Sequence, residues 1–559
     1  MIYKYYCART LRRYFMEKFR LRMEYKADGK IFITNLLETE HFTMDVKNAV
    51  DHIKLVINPK TQITVDDLTV TFPVDITADS RIFANGYQSW TDCREYFTNE
   101  SQSAIVHKYN VLAHKTRIGA SGDYGFTKYS SDAGVFQGYS YAYIRNDKTF
   151  DLIGSIDERT GFTFITVDSN KKEVSAKKDL EGVILDHPYA VMDIIEFKGG
   201  DDEVFDKYFA VMGIEKPRVK KSTGYTTWYN YYAKVNQKIV EDDLEAMSGL
   251  NLDIDFFQID DGYQTAVGDW LSIISEKFPD GMKHCADEIH AKGMKAGLWL
   301  APLGAQFNSH IRKEHPDWII KDKKGKQVLA GINWGTFYAL DIENQECADY
   351  IRHCFDVILN EWGFDMVKLD FLYSACIIPR NGKSRGQLMC EAMDFIRDCV
   401  GDKLILGCGV PLWPSFGKVD FCRIGADMGL KWKDFHYIRE FVSTEYTLAN
   451  SIFRRQLDNR AFCNDPDVFL LRDNNIKLNE EQKKIIATVN NVFGSLLFVS
   501  DNVSAYTPEQ MDLFKWAVSK SDIKVKSAEF IKQDVIRVDY TDDGADKSLT
   551  FDIKNGILA

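Results

Sequence analysis

The chain has 559 residues, 45% of them hydrophobic and 27% charged, a globular composition spread over more residues than one ordinary core accommodates, so two or three domains are expected. A net charge of -12 argues against nucleic acid or an anionic membrane as partner, and no apolar run approaches the roughly 18 residues a membrane helix needs. Eleven cysteines, odd in number and without Cys-x-x-Cys spacing, suit a reducing cytoplasm and supply neither a disulfide framework nor a zinc knuckle.

The basic, aromatic run through Arg22 holds no continuous apolar stretch, which speaks against a secretory signal, and Met16 and Met23 are alternative starts. Short alternating segments at residues 31–34, 55–58, 68–72, 162–167 and 182–185, broken by Asn, Asp and Gly, predict an N-terminal β-sandwich domain over 1–216. Inside it, residues 83–90 are aromatic-rich and too polar for a core strand; Trp90 either reaches a neighbouring site or packs at a domain interface.

Over 217–519 the period changes. Strand candidates at 224–228, 256–260, 295–300, 366–370, 404–407, 421–425, near 461–463 and at 495–499 alternate with helices at 238–250, 280–292, 348–362, 386–400, 434–453, 479–492 and 508–518. Eight such units predict a (β/α)8 TIM barrel, with a doubly wound open sheet as the second topology. Thr507, Pro508 and Gln510 spell a capping box with proline in the first turn. Residues 520–559 read as a small C-terminal β domain, which makes the whole a multidomain α/β chain.

In a parallel α/β fold, ligands bind at the carboxyl ends of strands. Those ends carry Trp228 and Tyr229, Asp260 and Asp261, Trp299, Lys368 with Asp370, Cys408, and Arg423 leading to Asp427. Lys368 and Asp370 share one face of a strand, either as functional groups or as a buried ion pair, and the Asp260-Asp261 doublet is either a pair of ligand-gripping acids or a turn. None of the 11 histidines falls at a strand end, phosphate-binding glycine fingerprints are missing, and no Gly-x-Ser-x-Gly elbow occurs. Acids with aromatic platforms are what sugar chemistry needs, and Asp370 and Asp427 are candidates for the two carboxyl groups of a retaining glycosidase, about 5–5.5 Å apart in such enzymes.

At these residues the chain resembles glycoside hydrolase family 36, the melibiase-like α-galactosidases. The resemblance is carried by Asn85-Gly-Tyr-Gln-Ser-Trp90, Trp228-Tyr229, Asp260-Asp-Gly-Tyr-Gln264, Gly297-Leu-Trp-Leu-Ala-Pro302, His315-Pro-Asp-Trp318, Lys368-Leu-Asp370 and Cys422-Arg-Ile-Gly-Ala-Asp427. It implies the same three-part architecture and a retaining, exo-acting α-galactosidase. Asp370 would be the nucleophile and Asp427 the acid/base, helped by a less polar setting, while Lys368 would favour the ionised form of Asp370. Asp260 and Asp261 would bind galactose hydroxyls, Lys368, Arg423 and Cys408 would add sugar contacts, and Trp228, Tyr229, Trp299 and Trp90 would wall the site. No metal or organic cofactor is implied, and the expected partner is a small galactoside such as melibiose or raffinose, met in the cytoplasm by a chain that could be homo-oligomeric. Tyr263, where the family often has Trp, and the loop at Cys408 depart from the family pattern. That departure keeps an α-N-acetylgalactosaminidase open, and a non-catalytic carbohydrate-binding protein is the reading from another class.

Overall fold

The computed structural model of the chain describes residues 19–49, 51–102, 118–433 and 438–559. Met16 lies outside them, whereas Met23 is buried within the strand Arg20–Ala27, whose apolar residues alternate with exposed polar ones. Two seven-stranded antiparallel sheets form the sandwich. One sheet runs through Lys30–Thr34, Arg20–Ala27, Ile63–Pro73, Glu173–Lys178, Thr163–Asp168 and Val135–Tyr139, with Ile184–Leu185 beside Ile63–Pro73. The other runs through Phe42–Ala49, His52–Pro59, Tyr189–Gly199, Thr149–Ser155, Tyr141–Asn146, Arg81–Ala84 and Glu95–Phe97. Met23, Leu55, Leu68, Ile165 and Met192 belong to the core between them. A helix absent from the sequence expectations, Asp201–Val211, buries Val204, Phe205, Tyr208 and Phe209, and Tyr208 Oη donates to Ser155 O at 2.6 Å.

Eight parallel strands follow: β1 (Ser222–Thr226), β2 (Phe256–Ile259), β3 (Lys295–Leu300), β4 (Met366–Leu369), β5 (Leu404–Gly407), β6 (Phe421–Arg423), an interrupted β7 (Cys463–Asp465 and Val468–Phe469) and β8 (Leu496–Val499). The first half of β7 pairs with β6 and its second half with β8, while β8 pairs with β1. The ring therefore closes, and the open-sheet topology is excluded. Strands covered on both faces read as continuous apolar runs, as in the fully buried Leu-Leu-Phe-Val of β8.

Helices α1 (Gln237–Ser248), α2 (Gly281–Ala291), α3 (Gln345–Asp356), α4 (Arg385–Val400), α5 (Thr444–Phe453), α6 (Glu480–Phe493) and α7 (Pro508–Ala517) surround the ring, and a single turn, Leu412–Ser415, connects β5 to β6. Side-chain caps explain most starts: Asn236, Asn344, Ser384, Ser443, Asn479 and Thr507 each accept an orphan backbone N–H. The capping box at Thr507 and Gln510 is present. The helix expected over 434–453 begins only at Thr444, because Ser443 is extended and caps it; residues 434–437 lie outside the described set. Beyond α3 the chain makes a π turn, Val357–Glu361, and Gly363 takes the left-handed φ of 85° that releases it into β4.

After β3, an insertion folds into a small antiparallel sheet of Gly304–Gln306, Phe337–Ala339 and Leu329–Gly331. The C-terminal four-stranded antiparallel sheet, Ile523–Lys532, Val535–Asp542, Ala545–Asp552 and Ile557–Leu558, stacks Phe530 on Phe453 of α5, ring centroids 5.2 Å apart. Phe83 and Tyr141 of the sandwich and Phe551 of the C-terminal sheet share one core with the barrel. Among the described residues no helix is long and apolar enough to cross a membrane.

Candidate active site

A cavity of about 530 Å³ opens at the carboxyl ends of the strands. Trp228 after β1, Asp260 and Asp261 after β2, Trp299 in β3, Lys368 in β4 with Asp370 after it, Asp427 after β6, and Trp90 from the sandwich all line it. Tyr229, Cys408 and Arg423 stand one layer behind and touch residues at the wall or their supports. Tyr263 is fully buried and is not part of the lining.

Asp370 is held at both oxygens. Trp299 Nε1 donates to Oδ2 at 3.1 Å, and the Phe371 backbone N–H donates to Oδ1 at 2.9 Å. Phe371 sits at φ 55°, ψ 33°, a left-handed conformation costing a non-glycine residue about 1–2 kcal/mol, and it lines the same cavity. Burial pushes the Asp370 carboxyl up, Lys368 pulls it down, and Asp427 raises it again; the result is upward. Lys368 favours the ionised form, as expected, and desolvation outweighs it.

Lys368 instead donates to Asp260 Oδ2 at 2.7 Å, a pair almost without solvent exposure. Burial alone would depress the ammonium, but Asp260 reverses the effect and leaves its pKa raised. Asp260 Oδ1 accepts the Asp261 backbone N–H at 2.9 Å. Asp261 accepts Gln264 Nε2 at 2.6 Å and Trp334 Nε1 at 2.8 Å, and burial raises its carboxyl despite those bonds. Trp334, on the insertion after β3, was not singled out from the sequence; it takes φ 54° and lines the cavity. Its signal was an aromatic between Asn and Gly in an otherwise unassigned insertion.

Asp427, the more exposed acid, lies 3.0 Å from Arg423 Nη1. Arg423 also meets Asp465 and Asp467 of the broken β7, at 3.2 and 2.8 Å, and Tyr229 Oη donates to Asp467. Neither Asp465 nor Asp467 was anticipated, because β7 is too short and broken to show a period. Trp90 Nε1 donates to Cys408 Sγ at 3.2 Å, and a Cβ on Gly409 would fall 2.8 Å from the Trp90 ring and 3.0 Å from Phe371 N, so this wall is tightly closed. Trp90 is thus both an interface residue and part of the lining. Glu440, also unforeseen, lines the cavity and accepts from Thr91 Oγ1 at 2.7 Å and Tyr124 Oη at 2.8 Å.

Asp260, Asp261, Asp370, Asp427 and Glu440 face Lys368 as the cation of the described lining. Such a field disfavours anionic ligands and favours developing positive charge. Among the described residues no group of three His, Cys, Asp or Glu side chains could share a metal ion. His310 is exposed, and His315 stacks on Trp318 with centroids 3.8 Å apart.

The family model described as melibiase matches residues 225–387, which span β2, β3, β4 and the insertion. The chain is 32% identical to α-galactosidase Mel36A of Lactobacillus acidophilus over 126 residues, 21% of this chain and 16% of that protein. It is also 32% identical over 128 residues to a protein of Flavonifractor plautii named A type blood α-D-galactosamine galactosaminidase, covering 21% of this chain and 11% of that one. The matched segments thus span less than a fifth of these relatives. The solved structure of TtGalA, an α-galactosidase from Thermus thermophilus in complex with p-nitrophenyl α-D-galactopyranoside, superimposes with a TM-score of 0.71 at 23% identity, covering 96% of this chain and all of that one (100%). AgaA of Geobacillus stearothermophilus gives 0.58 at 12% identity over 93% of this chain and 80% of that one. The melibiase segment thus spans three of the strands that build the cavity, and the chain shares its fold with solved α-galactosidases.

Proposed function

We propose that the chain is a retaining, exo-acting α-galactosidase. The observation that carries this reading is the convergence of Asp370 and Asp427, from the ends of β4 and the loop after β6, on one cavity whose far wall is made by Asp260, Asp261, Lys368 and Trp334. Asp370, oriented by Trp299 and the Phe371 N–H, attacks the anomeric carbon while Asp427 gives its proton to the leaving oxygen; water, deprotonated by Asp427, then releases the sugar. Carboxylates around the reacting carbon stabilise the oxocarbenium-like charge. Asp260 and Asp261 keep lone pairs for sugar hydroxyls, and the Lys368 bond orients Asp260. Small terminal α-galactosides are the substrates and the cytoplasm is the compartment, in keeping with ten described cysteines that are all free.

An α-N-acetylgalactosaminidase is the second reading, favoured by the Flavonifractor relative's name. The closed wall of Trp90, Cys408 and Gly409 opposes it, because an acetamido group on that side would need room. The deciding experiment is a parallel assay on aryl α-galactoside and aryl α-N-acetylgalactosaminide, with Asp370→Asn as control. Turnover confined to the galactoside and abolished in the variant supports the first reading; preference for the N-acetyl substrate supports the second; silence on both leaves a binding protein.

A further inference from the structure

The broken strand β7 and its interruption carry two carboxylates with no solvent-exposed side-chain area, Asp465 at the end of its first half and Asp467 in the break. Arg423 divides its guanidinium among three acids: Nε lies 3.2 Å from Asp465, Nη1 3.0 Å from Asp427 and Nη2 2.8 Å from Asp467. One positive charge therefore faces three carboxyl groups. Asp467 is also tied to the residue following Asp427, since its Oδ2 accepts the Met428 backbone N–H at 2.7 Å, and the Tyr229 hydroxyl donates to the same oxygen. Its own backbone is left-handed, φ 74°, held there by its N–H donating to Asp465 Oδ1 at 2.8 Å and by Asn490 Nδ2 donating to its carbonyl at 3.1 Å. A non-glycine residue is kept in that region only where surrounding bonds over-determine it.

We propose that Asp467 is the positioning residue of Asp427: it draws the charge of Arg423 away from Asp427, so that Asp427 can carry the proton needed by the departing oxygen, and it anchors the backbone beyond Asp427 through Met428. The inference rests on Asp427 being the acid/base. Facing Asp467 are Arg423 of β6, Asp427 from the loop after β6, Tyr229 from the turn after β1 and Asp465 of its own strand. Lys368 of β4 and Cys408 after β5 also interact electrostatically with Arg423. Burial pushes the Asp467 carboxyl up to about 6; Arg423 opposes this, and Asp427 and Asp465 add to it. An ionised Asp467 shares Arg423 with Asp427 and so leaves less of its positive charge to oppose a proton on Asp427.

The test is the pH dependence of kcat/KM on an aryl α-galactoside, using the full chain. Asp467→Asn moves the basic limb to lower pH by about one unit, the usual effect of removing a neighbouring like charge. Tyr229→Phe moves it the same way by less, because loss of the hydroxyl donor keeps Asp467 protonated to higher pH. Coincidence of both folded variants' basic limbs with the parent's overturns the proposal, and if Asp467→Asn does not fold, Tyr229→Phe decides alone. Asp427→Ala, assayed beside them, separates the two claims. Azide rescue keeps the acid/base assignment whatever Asp467 does, and no rescue removes the assignment and the proposal with it.

Discussion

Trp90 and Cys408 are joined by a hydrogen bond of 3.2 Å from Nε1 to Sγ, although 318 residues separate them in the chain. The sandwich thus supplies a wall of a barrel site. The loop that carries Trp90 is held by Arg454, a fully buried guanidinium at the end of α5, which donates to Asn85 Oδ1, Ser89 O, Ile424 O and Gln88 O at 3.0, 2.6, 2.8 and 3.1 Å.

Arg454→Ala should therefore lower stability and activity together. Four acceptors lose their donor inside a dry interface, a cost on the order of 3 kcal/mol, read as a fall in Tm of several degrees. Trp90→Ala should also lower Tm, because a buried ring packed on Phe371 and Tyr373 is lost, and should in addition reduce kcat/KM of the folded enzyme roughly tenfold or more, since a wall of the cavity is lost. Unchanged kcat/KM in folded Trp90→Ala would contradict its place in the site.

Removal of the proposed acid/base should be felt in proportion to the leaving group's need for a proton. Asp427→Ala is expected to lose about 10²–10⁴-fold on alkyl galactosides and far less on nitrophenyl ones. Asp365 is the carboxylate to compare: it lies at the opposite end of β4, bonded to His290 Nε2 at 2.7 Å and Lys403 Nζ at 3.2 Å, and its alanine variant should show no leaving-group dependence.

The acid limb of the pH profile should sit above an ordinary aspartate's pKa of about 3.9. As the proposed nucleophile Asp370 would attack only when ionised, and its raised pKa then means that activity falls as pH drops through that raised value. Lys368→Met removes the cation opposing the rise, so the limb should move further upward by about one unit. A downward shift in that variant would show that Lys368 does not act on Asp370.

Stability carries its own pH signature at Glu158, buried in the sandwich and accepting from Thr163 N at 3.1 Å and Ser140 Oγ at 3.1 Å. Burial pushes this carboxyl from 4.5 up to about 7, so the folded state binds its proton more tightly than the unfolded state. The resulting stabilisation is full below about 4.5 and is lost as pH rises through about 7, an effect on the order of 3 kcal/mol. Glu158→Gln should flatten the Tm-against-pH curve across this window; an unchanged curve would assign the slope to other groups.

Much of this architecture was legible in the sequence. β4 announced itself because a helix stripe at Ile351, Phe355 and Ile358 feeds through Gly363 into an apolar run, and period-two alternation placed Lys368 beside Asp370 in register. The same logic found the other strand ends. It could not find Trp334, whose role depends on an insertion folding back to reach Asp261, nor Asp467, which sits in the break of a strand too short to show a period. Glu440 became visible only once the loop after β6 met Thr91 and Tyr124 of the sandwich. The bond from Lys368 to Asp260 was not foreseen for a related reason: Asp260 lies 108 residues away, and strand adjacency in a barrel is not written in local spacing.

The broken seventh strand also makes activity a clock for folding. Its first half waits for β6 and its second half for β8, and β8 must find β1, whose partner residues Ser222 and Leu496 lie at the two ends of the barrel's chain. Contacts of such long sequence separation form late. During refolding, recovery of turnover should therefore trail recovery of helical signal, because the surroundings of Asp427 do not exist until the first and last strands have met.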